Sequence, residues 1–385
     1  MQEIISKFTA HFGMNPVAVS RAPGRLEILG NHTDYNEGFV LSCAVTQDTR
    51  IALAPIEGTI CHVVDFRTNE KMSFDLSDID APPAKNGSRY IKGMARELMK
   101  LGYKIPAFNC GLESTIPLSA GMSSSAALET AAGLAMGKAF DIQLSKEEWA
   151  KAGQRVENDY MGLKTGLLDQ FSSIFGEKDA MILSDFRTVK VIRTVPLPPG
   201  YSIVVINSME KHDLVDSEYN SRRQDCETAA SVLAQITPDT TTLRDIDIDQ
   251  LAAGKSLLND VEYRRALHVV GECARVSQAV RYLSNNDIEN FGKLLFESHQ
   301  SSKDNFENST KKLDYLVELA KTIPGALGAR LSGGGFGGIT IHLVKNEDAE
   351  TYAKQVQAAY KIQTGIEPEY IICNIGAGAS AELVK

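Results

Sequence analysis

The chain has 385 residues, a length that predicts two or three domains and excludes a small binding module or a disulfide-stabilised miniprotein. Apolar residues make up 43% and charged residues 23% of the chain, which is typical of globular proteins. The net charge of −9 argues against a nucleic-acid binder and against a protein of anionic membrane surfaces, but a few local donors suffice for a phosphorylated ligand.

The cysteines and the apolar segments favour a cytoplasmic protein. None of the six cysteines forms a C-x-x-C pair, so we expect reduced thiols in the core. The first residues include an acid, Glu3, and no apolar stretch, so we expect no signal peptide. No apolar run approaches the ~18 residues of a membrane span, so we expect no membrane partner.

The first half of the chain predicts strands with helices between them. A helix near residues 3–12 precedes a strand-and-loop region that Pro23 and Gly24 interrupt. Runs rich in β-branched residues then predict the strands FVLSCAV, TRIALAP, CHVVDF, FNCGLEST, AMILSD and VKVIRTVPL. Helices are predicted for RYIKGMARELMKLG and SSSAALETAAGLAMGKAF, and Ser145 with Glu148 predicts a capping box at the start of another.

The densest proline cluster, VPLPPG at residues 195–200, marks the predicted domain boundary. Beyond it we expect the strand YSIVVINS, long helices, a glycine-rich loop, the strand ITIHLV, a helix and the strand EYIICNIG. Strands and helices alternate too irregularly for a doubly wound sheet. We therefore predict an α+β fold with two domains, at residues 1–195 and 196–385.

The first of three loops with chemical character is PGRLEILGNHTDYNEG, at residues 23–38. It brings a cation, an amide, an imidazole, a carboxylate and a phenol within eleven positions: Arg25, Asn31, His32, Asp34 and Tyr35. Such a set can hydrogen-bond a polyhydroxylated ligand from several directions. A turn-rich loop explains the same residue types, so the spacing alone leaves both interpretations open.

The second loop, PLSAGMSSSAALE at residues 117–129, runs directly into a predicted helix. Unpaired backbone N–H groups and the positive end of the helix favour an anion there. Ser123, Ser124 and Ser125 add hydroxyl donors and one candidate metal ligand, although a plain serine N-cap is a common alternative. The loop lacks the Walker pattern, and its partial likeness to G-x-S-x-G leaves a hydrolase as a weaker alternative.

The third loop, LSGGGFGGITIHL at residues 331–343, formally satisfies G-x-G-x-x-G. A strand follows it where a dinucleotide fold requires a helix, so we reject the Rossmann interpretation. Its glycines allow the backbone to approach a ligand closely, and they equally suit a flexible hairpin.

Two carboxylates, Glu157 and Asp169, flank the segment NDYMGLKTGLLD. Acids are most often surface residues. Asp169, however, lies among Leu167, Leu168 and Phe171, and a carboxylate in apolar company usually has a partner or a purpose. The seven histidines show no paired metal-binding spacing.

In this order, the three loops resemble those of the GHMP small-molecule kinase superfamily and, within it, the galactokinase family. The first is similar to the sugar signature, the second to the phosphate loop and the third to the third motif. Three further segments match: GLLDQFSSIFG, NSMEKHDLVDSEYNSRRQDCE and RRALHVVGE. The resemblance runs from about residue 20 to about residue 345, nearly the whole chain.

The resemblance implies an ATP-dependent sugar 1-kinase whose site lies between a ribosomal-protein-S5-like domain and a ferredoxin-like domain, with ATP and Mg²⁺ as cofactors. It makes Asp169 the base and Arg25 the cation at the transition state, and Ser125 and Glu157 match the magnesium ligands. The residues that match the phosphate loop are Ser119, Ala120, Gly121, Met122, Ser123, Ser124 and Ser125. The residues that match the sugar contacts are Asn31, His32, Thr33, Asp34, Gly166 and Tyr219. We expect a monomer.

One position departs from the family pattern. Galactokinases usually carry glutamate before H-T-D, where this chain has Asn31, and the resemblance places that position near C6 of the sugar. The neutral amide predicts weaker or more tolerant galactose binding. Galactose is the expected substrate, and the alternatives are a kinase for N-acetylgalactosamine, a pentose or a C6-altered galactose, or a catalytically silent sugar sensor. A sensor need not keep the phosphate loop, the metal ligands and the base, which favours an enzyme.

Overall fold

The computed structural model describes residues 1–117, 121–210 and 215–384, which form two β-sheets and the helices around them. The six cysteines carry free thiols, and all but Cys273 are buried, as the sequence predicts. Within the described ranges, no helix combines the length and the apolar character that crossing a membrane requires.

The strands, in chain order, are β1 (Ala18–Leu29), β2 (Phe39–Pro55), β3 (Ile60–Asp65), β4 (Glu70–Asp75), β5 (Phe108–Ser114), β6 (Ala180–Asp185), β7 (Lys190–Pro196), β8 (Tyr201–Asn207), β9 (Ala326–Ser332), β10 (Ile339–Lys345), β11 (Glu369–Cys373) and β12 (Ser380–Leu383). The helices are α1 (Gln2–Phe12), α2 (Ser88–Lys100), α3 (Ser124–Ala139), α4 (Lys146–Arg155), α5 (Leu168–Phe175), α6 (Val215–Leu233), α7 (Ile248–Ala253), α8 (Asp260–Ser284), α9 (Ile288–Ser301), α10 (Lys311–Thr322) and α11 (Ala349–Thr364).

The first sheet has the order β12-β1-β2-β5-β3-β4. In addition, β6 pairs with β2 on one side and with β7 on the other. The two strands predicted as FVLSCAV and TRIALAP form one strand, β2. Both halves of β2 pair with β1, while residues 39–42 pair with β6 and residues 49–55 pair with β5. The long strand therefore exists because different neighbours satisfy its two ends, which local sequence does not show.

The predicted interruption at Pro23 and Gly24 lies inside β1, where the pairing with β2 shifts register as in a β-bulge. Gly24 is needed there because a Cβ would lie 2.7 Å from the carbonyl oxygen of Met122. The backbone N–H of Arg25 donates to that same oxygen at 3.1 Å. The bulge thus joins β1 to the loop before α3.

The second sheet is antiparallel, with the order β11-β8-β10-β9. The connection from β8 to β9 carries α6 to α10, and α11 connects β10 to β11. Numbered from β8, the strand order is 4-1-3-2, the ferredoxin-like arrangement that the resemblance implies. The α+β fold class is confirmed.

The end of the chain returns to the first sheet, because β12 pairs with residues 18–21 of β1. A boundary placed only at residue 196 therefore does not separate the two sheets completely. The division into residues 1–195 and 196–385 remains a prediction.

Candidate active site

A cavity of about 80 Å³ brings together loops that are far apart in the sequence. It lies where the end of β1, the start of α5, α6 and the loop after β9 meet. Seven of the predicted site residues line it: Arg25, Asn31, His32, Asp34, Gly166, Asp169 and Tyr219. The other lining residues are Glu27, Thr165, Leu168, Gly333 and Gly334.

Thr33 does not belong to this lining, although the resemblance makes it a sugar contact. Its side chain is fully buried, and Oγ1 lies 2.7 Å from the carbonyl oxygens of both Gly30 and Phe39. The hydroxyl therefore closes the loop instead of facing a ligand. Glu272 of α8 supports the same loop by accepting hydrogen bonds from the backbone N–H groups of Gly30 and Asn31, at 3.0 and 3.1 Å.

His32 forms a rigid, neutral part of the cavity wall. Its Nε2 lies 3.1 Å from the carbonyl oxygen of Gly334, and its Nδ1 lies 2.9 Å from the Tyr35 hydroxyl. Since a carbonyl oxygen only accepts, Nε2 carries the proton and Nδ1 accepts from the hydroxyl. Burial lowers the pKa of His32 to about 3. The ring of Tyr219 packs 4.9 Å away, centroid to centroid.

Asp34 and Gly166 are fitted to each other. The backbone N–H of Leu168 donates to Asp34 Oδ2 at 3.3 Å. A Cβ on Gly166 would lie 1.6 Å from that same oxygen, so only glycine leaves room for the carboxylate. Burial raises the pKa of Asp34. The short segment around Gly166 therefore contacts the first loop, which lies more than a hundred residues earlier in the sequence.

Asn31 lies at the cavity wall with its amide already in hydrogen bonds. Nδ2 donates to Glu27 Oε1 at 3.0 Å and to the Gly333 carbonyl oxygen at 2.8 Å. Glu27 was missed by the sequence analysis, although an acid between two buried strand positions in GRLEILG was a signal. Burial raises the pKa of Glu27, while the charges of Arg330 and Arg25 partly offset this rise.

Asp169 is held by two side chains at the beginning of α5. Arg25 Nε donates to Asp169 Oδ1 at 2.7 Å, and the Ser123 hydroxyl donates to Oδ2. Arg25 Nη1 also donates to the Gly121 carbonyl oxygen at 2.7 Å. Burial alone would lower the pKa of Arg25, but the neighbouring Asp169 and Glu27 carboxylates raise it. The guanidinium thus joins the carboxylate to the loop before α3.

The loop before α3 differs from the plain serine-cap interpretation. Ser123 occupies the N-cap position with φ of 54°, and its side chain does not cap the helix. The backbone N–H groups at the start of α3 therefore have no serine cap to compete with an anion. Met122 is buried, and Gly121 adopts φ of 61°. Ser119 and Ala120 lie outside the described residues.

Ser125 and Glu157, the predicted metal ligands, lie next to each other. The Ser125 hydroxyl donates to Glu157 Oε1 at 3.2 Å, and the Thr165 hydroxyl donates to Oε2 at 2.7 Å. Glu157 is 4% exposed in a single π-helical turn, residues 156–160, that follows α4. Burial, and secondly the Asp169 carboxylate, raise its pKa. Glu157 is thus a buried carboxylate near the Asp169 carboxylate and the Ser125 hydroxyl, and oxygen ligands of this kind suit a hard divalent cation.

A second cavity, of about 270 Å³, is lined by Ser124 and Ser125 at the start of α3. Its walls combine apolar and aromatic side chains, among them Met72, Tyr90, Leu112 and Leu128, with polar and charged ones such as Asp65 and Arg67. The start of α3 therefore borders the larger cavity, while Ser123, directly before the helix, donates to Asp169 at the smaller one.

Three family models match the chain: the galactokinase galactose-binding signature at residues 6–55, the GHMP kinases N terminal domain at residues 89–177, and the GHMP kinases C terminal at residues 279–362. A galactokinase of Glaesserella parasuis is 39% identical over 381 residues, which cover 97% of this chain and 97% of the relative. A galactokinase of Chloroflexus aggregans is 36% identical over 380 residues, which cover 99% of this chain and 97% of the relative.

Solved structures agree with these matches. Galactokinase of Lactococcus lactis, complexed with galactose, has a TM-score of 0.92 at 32% identity, covering 98% of this chain and 99% of that one. A mevalonate kinase has a TM-score of 0.62 at 17% identity, which shows a shared fold. The hydrolase alternative is thereby wrong. The chain belongs to the galactokinase family of the GHMP kinases.

Proposed function

We propose that the chain transfers the γ-phosphoryl group of ATP to the C1 hydroxyl of D-galactose. The observation that carries this proposal is the position of Asp169, which Arg25 and Ser123 hold between the polar cavity and the start of α3. Membership of the galactokinase family supports an ATP-dependent sugar phosphotransferase.

The polar cavity is proposed as the sugar site. Its acceptors are the Asp34 carboxylate and the backbone of Gly333 and Gly334, and its wall includes the neutral His32 ring and Tyr219. Carboxylates and carbonyl groups accept hydrogen bonds from sugar hydroxyls, while aromatic rings exclude water from the same space. Thr33 would support this site indirectly, through the loop that it closes.

Asp169 would act as the base. Its carboxylate takes the proton of the C1 hydroxyl while the new O–P bond forms and the bond from the γ-phosphorus to the bridging oxygen breaks. Arg25 then serves two purposes, because its guanidinium fixes the direction of the carboxylate and its charge offsets the negative charge of the transferred group.

The nucleotide is proposed to lie along the start of α3. The loop of residues 119–125 and the first N–H groups of the helix would hold the phosphates. The larger cavity that Ser124 and Ser125 line has room for an aromatic base, and Tyr90 and Leu128 in its wall suit one.

Ser125 and Glu157 are proposed to hold Mg²⁺. Both ligands are hard oxygens, and the buried Glu157 carboxylate lies near Asp169 without a cation of its own beside it in the described ranges. When bound, Mg²⁺ neutralises charge on the ATP phosphates. Glu157 also accepts from the Thr165 hydroxyl, which fixes the direction of its carboxylate.

Three further proposals come from the sequence. We propose a monomer located in the cytoplasm, and a division of the chain into domains at residues 1–195 and 196–385, with β12 returning to the first sheet. Analytical ultracentrifugation tests the first of these directly.

A coupled assay of ADP release over a panel of monosaccharides tests the proposed function. The expected result is the highest kcat/KM with D-galactose and a product phosphorylated at C1. A higher value with N-acetylgalactosamine, a pentose or a C6-altered galactose would move the proposal to another sugar. Galactose binding without ADP release from ATP would instead indicate a sensor.

A further inference from the structure

The wall of the proposed sugar cavity carries a buried carboxylate, Glu27. Glu27 of β1 is 3% exposed and lines the cavity. Its Oε1 forms an ion pair with Arg330 Nη1 at 2.9 Å and accepts a hydrogen bond from Asn31 Nδ2 at 3.0 Å. Its Oε2 makes no hydrogen bond within the described part of the chain, so it is available to a ligand in the cavity.

The partner cation, Arg330, contacts this carboxylate through a single nitrogen. Arg330 of β9 is fully buried, and its Nη1 also lies 3.1 Å from the carbonyl oxygen of Ile28. Both contacts come from Nη1, and within the described residues Nε and Nη2 make no hydrogen bond, so Glu27 is the counter-ion of a buried guanidinium. Because β1 and β9 belong to different sheets, the pair also joins the two sheets at the cavity.

Asn31, in contrast, has no hydrogen-bonding capacity left for a ligand. Both hydrogens of its amide are used, by Glu27 Oε1 and by the Gly333 carbonyl oxygen. Its Oδ1 accepts from Asn308 Nδ2 at 2.9 Å and from the Ser302 hydroxyl at 3.4 Å. The residue at the departing motif position therefore acts as a link within the protein.

We propose that Glu27 is a specificity-determining residue of this enzyme, and that its Oε2 accepts a hydrogen bond from a galactose hydroxyl other than the one at C1. The C1 hydroxyl is excluded because it must donate to Asp169. The inference rests on the proposed function, since it takes the polar cavity as the sugar site. Asn31 then positions Glu27 and does not contact the sugar through its amide.

The geometry also predicts how positions 27 and 31 depend on each other. Asn31 Nδ2 and Arg330 Nη1 meet at one oxygen of Glu27, so a carboxylate at position 31 could occupy the place of that oxygen. The variant N31E alone would place two carboxylates side by side in a buried space, where they repel each other. The variant E27N alone would leave Arg330 buried without its counter-ion. The double variant E27N/N31E moves the carboxylate to position 31 and so keeps one carboxylate as the counter-ion of Arg330.

The test measures KM and kcat with galactose and with 2-, 3-, 4- and 6-deoxygalactose for the wild type, E27Q and E27N/N31E. In the wild type, one deoxy sugar should lose about ten-fold or more in kcat/KM through the missing contact to a charged acceptor. In E27Q, kcat/KM for galactose should fall several-fold. The ratio of kcat/KM for galactose to kcat/KM for that one deoxy sugar should fall by the same factor, while KM for ATP is unchanged. The same penalty for every deoxy sugar in wild type and E27Q would overturn the inference.

The exchange variant decides the question if E27Q does not fold, which thermal unfolding shows beforehand. E27N/N31E should use galactose at least ten-fold better than N31E alone, and the reverse order would overturn the inference. Absence of ADP release from the wild type with every sugar contradicts the proposed function instead. In that case, calorimetric binding of the deoxy series to wild type and E27Q still tests Glu27.

Discussion

Asp169 depends on residues that are distant in sequence and adjacent in space. Arg25 comes from β1, Ser123 from the loop before α3, and Asp169 itself from the first turn of α5. The two donors satisfy both carboxylate oxygens, which orients the side chain without a bound substrate. Replacement by a neutral isostere therefore tests chemistry with little change in shape.

We expect Asp169→Asn to lower kcat by at least about 10²-fold, the lower end for the loss of a general base. Galactose and ATP should still bind, because the amide has the shape of the carboxylate. Steady-state kinetics with calorimetric binding measures both effects. Asp249→Asn is the matched control, since Asp249 is exposed on α7, and near-normal turnover in Asp169→Asn would remove Asp169 from the mechanism.

The Mg²⁺ ligands give a second prediction for single residues. Ser125→Ala and Glu157→Gln should each raise the Mg²⁺ concentration at half-maximal rate roughly ten-fold, which equals about 1.4 kcal/mol. KM for galactose should change little, because neither side chain lines the sugar cavity. A magnesium titration at saturating galactose measures the effect. An unchanged titration in either variant would contradict that ligand.

Seven of the residues that the sequence predicts for the site line one cavity, but the orientations of their side chains do not follow from the sequence. Thr33 matches the sugar motif, yet its hydroxyl bonds to Gly30 and Phe39, and the second of these partners depends on where β2 begins. Glu27 lies within the first loop, but its role does not follow from the sequence there, because its partner Arg330 is 303 positions away on another sheet. A motif gives the identity of a residue, whereas the direction of its side chain is decided by distant partners.

Among the elements, the contact between the first loop and the turn before α5 offers a sharp steric test. Gly166→Ala would place a Cβ 1.6 Å from Asp34 Oδ2, so the carboxylate or the turn must move. We expect KM for galactose to rise by about ten-fold or more, the scale of one lost hydrogen bond to a charged group. KM for ATP should stay near the wild-type value, as steady-state kinetics with each substrate varied in turn will show.

Gly87→Ala is the control for that substitution. The nearest atom to a Cβ on Gly87 lies 3.8 Å away, on the Leu128 side chain, and the residue lines the larger cavity and not the sugar cavity, so only galactose KM is compared. Galactose KM should therefore be normal in Gly87→Ala. Normal galactose KM in Gly166→Ala as well would show that Asp34 can be displaced without consequence for the sugar.

Elements were predictable where their signal is local. The capping box of Ser145 and Glu148 opens α4 as predicted, and the strand patterns of the second sheet correspond to β8, β10 and β11. The strands β4, β9 and β12 were not predicted, and the other errors concern pairing between distant segments. The bulge at Pro23 and Gly24 exists because the loop before α3 contacts β1 there, and no short window of sequence contains both partners.

At the scale of the whole molecule, burying titratable groups makes stability depend on pH in two opposing directions. Burial lowers the pKa of His32, His268 and His342 to about 3. Unfolded histidines take up protons below about pH 6.5, so the unfolded state binds more protons and stability falls as the pH falls. Burial raises the pKa of Glu129 and Glu157, so these groups take up protons in the folded state at a higher pH than in the unfolded state. Their contribution to stability therefore rises as the pH falls.

His342 allows one of these contributions to be isolated. It is fully buried in β10, where its ring nitrogens bond to the Thr340 and Tyr352 hydroxyls at 2.8 and 2.7 Å. A histidine with a folded pKa near 3 makes the free energy of unfolding at pH 5 lower by about 2 kcal/mol than the free energy of unfolding above pH 6.5. In His342→Gln, the loss of unfolding free energy between pH 7 and pH 5 should therefore be smaller by about 2 kcal/mol, measured by guanidinium titration at both values. The exposed His62→Gln serves as the control, and an equal loss in His342→Gln and wild type would show that His342 does not contribute to acid sensitivity.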